Sequence, residues 1–288
     1  MKLGFIGTGV MGGAIALHLL EAGHDLVVYN RTKSKTDTLV ANGATWVETP
    51  AEVAEQADVI FSMVGYPADV DAIYFGDQGI FSTLAAGKTV VDMTTSTPTL
   101  AEKIAAKADE LNAHALDAPV SGGDVGAKKA TLTVMVGGDQ TTYDAVKPLF
   151  ELVGQKVHRF GPAGKGQHTK MANQIMIAGT MTGTVEMMVY AQHAGLNMTD
   201  VLDTLSSGGA DNWSMDNYAP RILKGDYTPG FFAKHFLKDL RIALDEADKM
   251  KLDLPATKLA KQLYETMVDK KGLGDDGTQG LIKLYENL

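Results

Sequence analysis

The 288-residue chain contains no cysteine, which excludes disulfides, thiolate zinc sites and cysteine nucleophiles together. Positive charge is also scarce. Lys and Arg number 26 against 35 Asp and Glu, leaving a formal charge of −9 with no basic run. A nucleic-acid surface is therefore not expected, and an anionic ligand has to be met by locally placed positive groups. Long hydrophobic runs are missing too. The apolar stretch from Lys2 to Leu20 is interrupted by glycines and Thr8 and continues into another apolar strand without a small-residue cleavage site, so it does not read as a secretory signal. Residues 175–189 carry Thr180, Thr182, Thr184 and Glu186, and are too few and too polar to span a bilayer. No membrane association is expected, and the cytoplasm is the expected compartment. The seven histidines are scattered without an H-x-x-x-H spacing, so no metal site is expected.

What is present is a well-packed composition, 45% hydrophobic and 21% charged, in a chain long enough for one large or two ordinary domains. Up to about residue 161, short β-rich runs alternate with helical patterns, the signature of parallel βαβ units. Strands are expected at 3–6, 25–30, 45–47, 58–64, 88–93, 114–117, 132–136 and 157–160. Helices are expected at 10–22, 32–42, 50–56, 98–111 and 140–152, two of them opened by Thr49-Pro50 and Thr97-Pro98, an N-cap residue before proline at the first helical position. Beyond Gly161 strand signals nearly vanish, and helices are expected at 165–194, 200–206, 216–224, 238–251, 256–271 and 278–286. The expected fold is an α/β Rossmann-type doubly wound domain over 1–162 and an all-α domain over 163–288, joined by a long helix. In that helix Gly179 and Gly183, at i and i+4, are expected to admit a second helix closely.

Gly7-Thr8-Gly9-Val10-Met11-Gly12 is a G-x-G-x-x-G between a first strand and a first helix, where a dinucleotide pyrophosphate meets helix N–H groups. The second strand ends Asn30-Arg31-Thr32, with Lys33 and Lys35 following, in place of the carboxylate that would hold ribose hydroxyls. That replacement favours NADP(H) over NAD. With no cysteine for a thiohemiacetal, a nicotinamide enzyme built on this chain stops after one hydride transfer. After a strand end, Asp117-Ala118-Pro119-Val120-Ser121-Gly122-Gly123 offers N–H groups and the Ser121 hydroxyl to a carboxylate, or makes an ordinary turn. The glycine-rich connector 161–166 leads into a helix bearing Lys170, Asn173 and Gln174, whose spacing puts them on one face. A lysine near the start of a helix opposes the helix dipole. Buried there it is suited to proton transfer; otherwise it reaches out to solvent.

In these segments, and in Lys238-Asp239-Leu240, the chain resembles the β-hydroxyacid dehydrogenase family along essentially its whole length. The resemblance implies that Lys170 is the catalytic acid/base and that Ser121, Gly122, Gly123 and Asn173 hold a small carboxylate-bearing substrate. It further implies that Thr95 contacts the nicotinamide half of the cofactor and that Lys238 reaches the cofactor from the second domain. The full set of expected cofactor contacts is Gly7, Gly9, Val10, Met11, Gly12, Asn30, Arg31, Thr32, Val64, Thr95 and Lys238, with NADP as cofactor and NAD as the lesser choice. Where many members read Met-Leu-Pro after the fourth strand, this chain reads Met63-Val64-Gly65-Tyr66-Pro67. A homodimer or homotetramer is expected.

Rival readings are an imine reductase-like enzyme, in which another donor replaces the lysine, and a non-catalytic NADP-binding protein, which has no need of Lys170. Tyr143-x-x-x-Lys147 matches the catalytic pair of short-chain dehydrogenases. Pro148 breaks the regular turn immediately after the pair and the helix packs through Val146, Leu149 and Phe150, so Tyr143 and Lys147 are expected as surface residues.

Overall fold

Alternating hydrophobicity in the first half resolves into a nine-stranded sheet in the computed structural model, which describes residues 1–285. Strands β1 (Lys2–Ile6), β2 (Asp25–Tyr29), β3 (Thr45–Trp46), β4 (Val59–Ser62), β5 (Thr89–Asp92) and β6 (His114–Asp117) are parallel, in the order β3-β2-β1-β4-β5-β6. The two-residue β7 (Val120–Ser121) and β9 (Gly154–Gly161) both pair with β8 (Leu132–Gly138), which is antiparallel to β6 and β7 and parallel to β9. Strand order reverses direction between β1 and β4, the place where doubly wound sheets bind ligands at their carboxyl edge.

Helices α1 (Val10–Glu21), α2 (Asp37–Ala41), α3 (Pro50–Gln56), α4 (Pro67–Phe75), α5 (Pro98–Glu110), α6 (Gly123–Lys128) and α7 (Gln140–Glu151) connect the strands. Both sheet faces are covered, so neighbouring strand residues feed different cores. Leu3, Phe5, Val28, Phe61 and Val91 pack with Ile15, Leu19 and Phe150. Ile6, Val27, Ile60 and Val90 pack with Val53, Val70 and Ile104. Each such side chain, fully buried, contributes roughly 1.5–3 kcal/mol. The chain divides into two compact units, Met1–Lys170 and Met171–Leu288, and the division falls inside helix α8 (Lys165–His193). In the second unit α9 (Met198–Leu205), α10 (Trp213–Leu223), α11 (Ala233–Lys249) and α12 (Pro255–Glu265) surround a core in which Met181, Val185 and Met188 meet Phe236, Leu240 and Tyr264. No helix among the described residues is long and apolar enough to cross a membrane.

Several elements differ from expectation, each for a local reason. The helix expected at 32–42 splits into a 3-10 turn, Lys33–Thr36, and α2. Thr36 Oγ1 donates to the Lys33 carbonyl at 2.7 Å and Thr8 Oγ1 to that of Lys35 at 3.0 Å, drawing both away from helical partners. Helix α7 runs through Pro148 to Glu151, one residue short of the expected 152. The N–H that Pro148 lacks would have served the Asp144 carbonyl, and both residues are exposed, which leaves that carbonyl on the solvent side of the helix. Tyr143, expected at the surface, is buried, while Lys147 stays outside and pairs with Glu151 at 3.4 Å. Helix α11 starts at Ala233, five residues before the expected 238, because the loop before the C-terminal turn caps it: Ala233 N donates to Asp276 O at 2.9 Å and Lys234 N to Gly274 O at 3.2 Å. The stretch after α12 is a π-helical turn, Thr266–Lys270, and the C-terminal helix is a 3-10 segment, Thr278–Leu284; Glu286, its expected end, lies outside the described residues. Around Gly179 and Gly183 an added Cβ would meet nothing within 4 Å, so among the described residues no helix packs on either.

Candidate active site

Strand ends at the carboxyl edge of the sheet carry most of the polar groups singled out in the sequence. After β1, Gly7 turns with φ +93° and donates its N–H to the Tyr29 carbonyl at 2.9 Å. A Cβ at Gly7 would strike the Met63 carbonyl, and one at Gly12 would strike that of Gly7 itself. Gly9 differs from both: a Cβ there would meet nothing within 4 Å. Conformation and packing thus require the first and third glycines, whereas the second leaves open space at the mouth of α1. First-turn amides of a helix have no intrahelical acceptor, so Val10, Met11 and Gly12 suit a pyrophosphate in that space, and the residues present fit a dinucleotide.

The loop is fastened to the end of β2. Asn30 Oδ1 accepts the Thr8 N–H at 3.0 Å, and Asn30 Nδ2 donates to the Thr32 carbonyl at 2.9 Å. The amide is therefore occupied at both ends in shaping the loop. Arg31 is 87% exposed and its Nη1 lies 3.4 Å from Asp69 Oδ1. Thr32 is exposed, and Lys33 Nζ sits 3.6 Å above the Trp46 ring. Asp69 also accepts the Tyr66 N–H at 3.2 Å at the start of α4. That helix begins at Pro67 where the sequence departs from Met-Leu-Pro.

Beside this loop, the ends of β4 and β5 are joined through buried polar groups. Ser62 Oγ donates to Asp92 Oδ1 at 2.9 Å and lies 3.0 Å from the Tyr74 hydroxyl. Thr94 N donates to the same Asp92 oxygen at 3.1 Å, and Val64 N donates to Thr94 Oγ1 at 3.0 Å. Burial pushes the Asp92 carboxyl up to about 6, against its hydrogen bonds from Thr94 and Ser62. Thr95, half-buried, follows directly.

Asp117 closes β6, in register with Asp92. Its carboxylate accepts the N–H of Gly164 at Oδ1 and of Gln167 at Oδ2, both at 2.8 Å, and so binds the first turn of α8. Side chains at Gly137 or Gly166 would collide with it. Burial raises this carboxyl above its ordinary range, and the backbone donors pull it back in part. Gln167, fully buried, accepts the Ser96 N–H at Oε1 (3.0 Å) and donates from Nε2 to the Thr94 carbonyl (2.7 Å). Lys170 follows one turn later and is only 6% exposed, so it does not reach out to solvent. Ser121 lies in β7, Gly122 turns with φ +131°, and Gly123, with φ +63°, opens the short α6. The first unit therefore holds the glycine loop, Arg31, Val64, Thr95, Ser121–Gly123 and Lys170.

The second unit holds Asn173 and Lys238 in one chain of contacts. Asn173 Nδ2 donates to Gln174 Oε1 at 2.7 Å, Gln174 Nε2 donates to Asp239 Oδ2 at 2.6 Å, and Lys238 Nζ forms an ion pair with Asp239 Oδ1 at 3.1 Å. Sequence reasoning missed Asp92, Asp117, Gln167 and the role of Asp239. Polar residues at strand ends and beside Lys170 were the available signal. Among the described residues no group of three potential metal ligands occurs.

A family model described as the NAD binding domain of 6-phosphogluconate dehydrogenase matches residues 2–161. A second, described as NAD-binding of NADP-dependent 3-hydroxyisobutyrate dehydrogenase, matches residues 164–285. The chain belongs to the β-hydroxyacid dehydrogenase family. As a member it is an NAD(P)-dependent oxidoreductase acting on a CH–OH group. Its relatives include the 2-hydroxy-3-oxopropionate reductase of Escherichia coli, 39% identical with 94% of this chain and 93% of that protein covered. The mitochondrial 3-hydroxyisobutyrate dehydrogenase-like protein 1 of Arabidopsis thaliana is 49% identical over 100% of this chain and 86% of its own. Among solved structures, the 3-hydroxyisobutyrate dehydrogenase of Mycobacterium tuberculosis with L-serine superposes with a TM-score of 0.90 at 26% identity, covering 99% of both chains. This β-hydroxyacid dehydrogenase thus shares both of its parts with the family.

Proposed function

We propose that this family member interconverts a small β-hydroxyacid and its semialdehyde, prefers NADP(H), and uses Lys170 as proton donor in reduction and proton acceptor in oxidation. The observation that carries this reading is a buried lysine one turn after the Asp117- and Gln167-bound start of α8, in the same unit as the glycine loop and Thr95. When bound, the nicotinamide supplies or accepts the hydride.

Everything else falls to the chain's own side chains. The Lys170 ammonium gives its proton to the carbonyl oxygen as negative charge develops there, and its charge lowers the energy of that oxygen beforehand. Ser121 Oγ and the amides of Gly122 and Gly123 bind the substrate carboxylate, and Asn173 orients it. Val10, Met11 and Gly12 face the pyrophosphate, and Val64 and Thr95 stand on the nicotinamide side. Arg31 meets the 2′-phosphate, for which a guanidinium has matching fork geometry. The roles given to Asn173 and Lys238 rest on the family pattern.

The test is a screen of NADPH and NADH oxidation against glyoxylate, succinic semialdehyde, tartronate semialdehyde and methylmalonate semialdehyde. Turnover of at least one with a clear NADPH preference is expected. Reduction of a cyclic imine in place of all four would overturn the substrate class.

A further inference from the structure

One side chain ties the helical turn that leads to Lys170 to the loop that carries Thr95. Residues 93–97 are neither helix nor strand, so the Thr94 carbonyl and the Ser96 N–H lie outside any ladder or helix. Gln167 supplies two partners, accepting from Ser96 N at 3.0 Å and donating to Thr94 O at 2.7 Å. Its own backbone N–H is held by Asp117 Oδ2 at 2.8 Å. Residue 167 precedes Lys170 by three positions, and side chains at that spacing lie on neighbouring surface of one helix. A planar amide fixed at both ends of its polar head therefore sets the separation between the Thr94–Ser96 loop and the turn that carries Lys170. An apolar side chain of equal length would fill the same volume without setting that separation.

We propose that Gln167 is a positioning residue for proton transfer, acting through Lys170; the proposal rests on the assignment of Lys170 as proton donor. Displacement of a reacting group by about 1 Å costs up to about 10²-fold in rate. Loosening this tether therefore slows the chemical step while leaving the substrate's carboxylate site, on a different loop, in place.

The test uses full-length Gln167→Met, which keeps length and removes both hydrogen bonds, and Gln167→Asn, which keeps the amide but falls one methylene short. Either serves if the other does not fold. Amide exchange at Ser96, followed in the cofactor-free protein, is expected to accelerate in both. NADPH affinity, read by fluorescence titration, is expected within about 3-fold of the parent. Single-turnover reduction of the fastest of the four aldehydes is expected to fall about 10- to 100-fold with KM nearly unchanged. In a Lys170→Ala background the same substitution is expected to cost less than about 3-fold more, because residues acting as a unit are not additive. A native rate in both variants overturns the proposal, and so does an equal loss with and without Lys170, which would mark general loosening. A native rate in Lys170→Ala alone overturns the underlying reading instead.

Discussion

The two units solve the problem of buried polarity differently. In residues 1–170 the buried polar side chains gather at strand ends and bind backbone groups of loops: Asp92 takes the Thr94 amide, Asp117 the Gly164 and Gln167 amides, and Gln167 both Thr94 and Ser96. In the helical unit the strongest buried network, Asn173–Gln174–Asp239–Lys238, joins side chain to side chain between α8 and α11. The first arrangement fixes the shape of loops, the part of an α/β protein that carries chemistry. The second fixes how two helices pack. Substitutions at the loop-binding groups of the first unit should therefore disturb rate or affinity as well as stability, and substitution of Asp239 in the second stability above all.

Lys170→Ala gives the largest expected contrast. Its rate of aldehyde reduction should fall on the order of 10²–10⁴-fold, with NADPH binding and the thermal midpoint nearly native. Arginine should not restore it, because a guanidinium keeps the charge but does not release a proton near neutral pH. Single-turnover rates with a confirmed aldehyde decide the matter, and near-native rates in both variants would place the donor elsewhere. In the second unit, Asp239→Ala removes the acceptor of the buried Gln174 Nε2 and an ion-pair partner of Lys238. Urea unfolding should show a loss of about 3 kcal/mol. A variant as stable as the parent would erase the distinction between the units.

How far each unit was legible follows from the same contrast. The glycine turn, the strand ends and the proline-opened helices at Thr49 and Thr97 are local patterns and were readable. Asp117 and Gln167 were not, because their partners lie 47 to 73 residues away. The start of α11 was missed because its cap is the backbone of residues 274–276, which no helix-start signal near 233 encodes. The amide of Asn30, expected as a cofactor contact, also holds Thr8 and Thr32, a use that no local pattern announced.

A smaller effect should mark the first unit alone. Asp92 is raised from 3.8 to about 6 in the folded protein. The folded state therefore holds a proton that the unfolded state has lost between those values. Stability is greatest at or below pH 4 as far as this group is concerned and falls as pH rises to about 6, by on the order of 2–3 kcal/mol. Comparing urea unfolding at pH 4 and pH 7 in the parent and in Asp92→Asn checks it: the slope should flatten in the variant. Persistence of the full slope would assign it to another carboxyl, with Asp117 next in line. The smallest effect is expected from Arg31→Ala, which should cost NADPH about 1.5–3 kcal/mol of affinity and NADH little. Equal affinity of the parent for both cofactors would remove the reason for making the variant.

The grip of Asp117 on α8 also bears on how the chain is cut or synthesised. A fragment ending at residue 162 contains all nine strands, yet it leaves a buried carboxylate without the Gly164 and Gln167 donors, and leaves Thr94 and Ser96 without the Gln167 amide. The truncation uncovers those groups to water and removes the contacts that pin the ends of β5 and β6. A nascent chain acquires these contacts only once the first turns of α8 have emerged from the ribosome. Any graft or truncation meant to keep that half intact should run through Lys170.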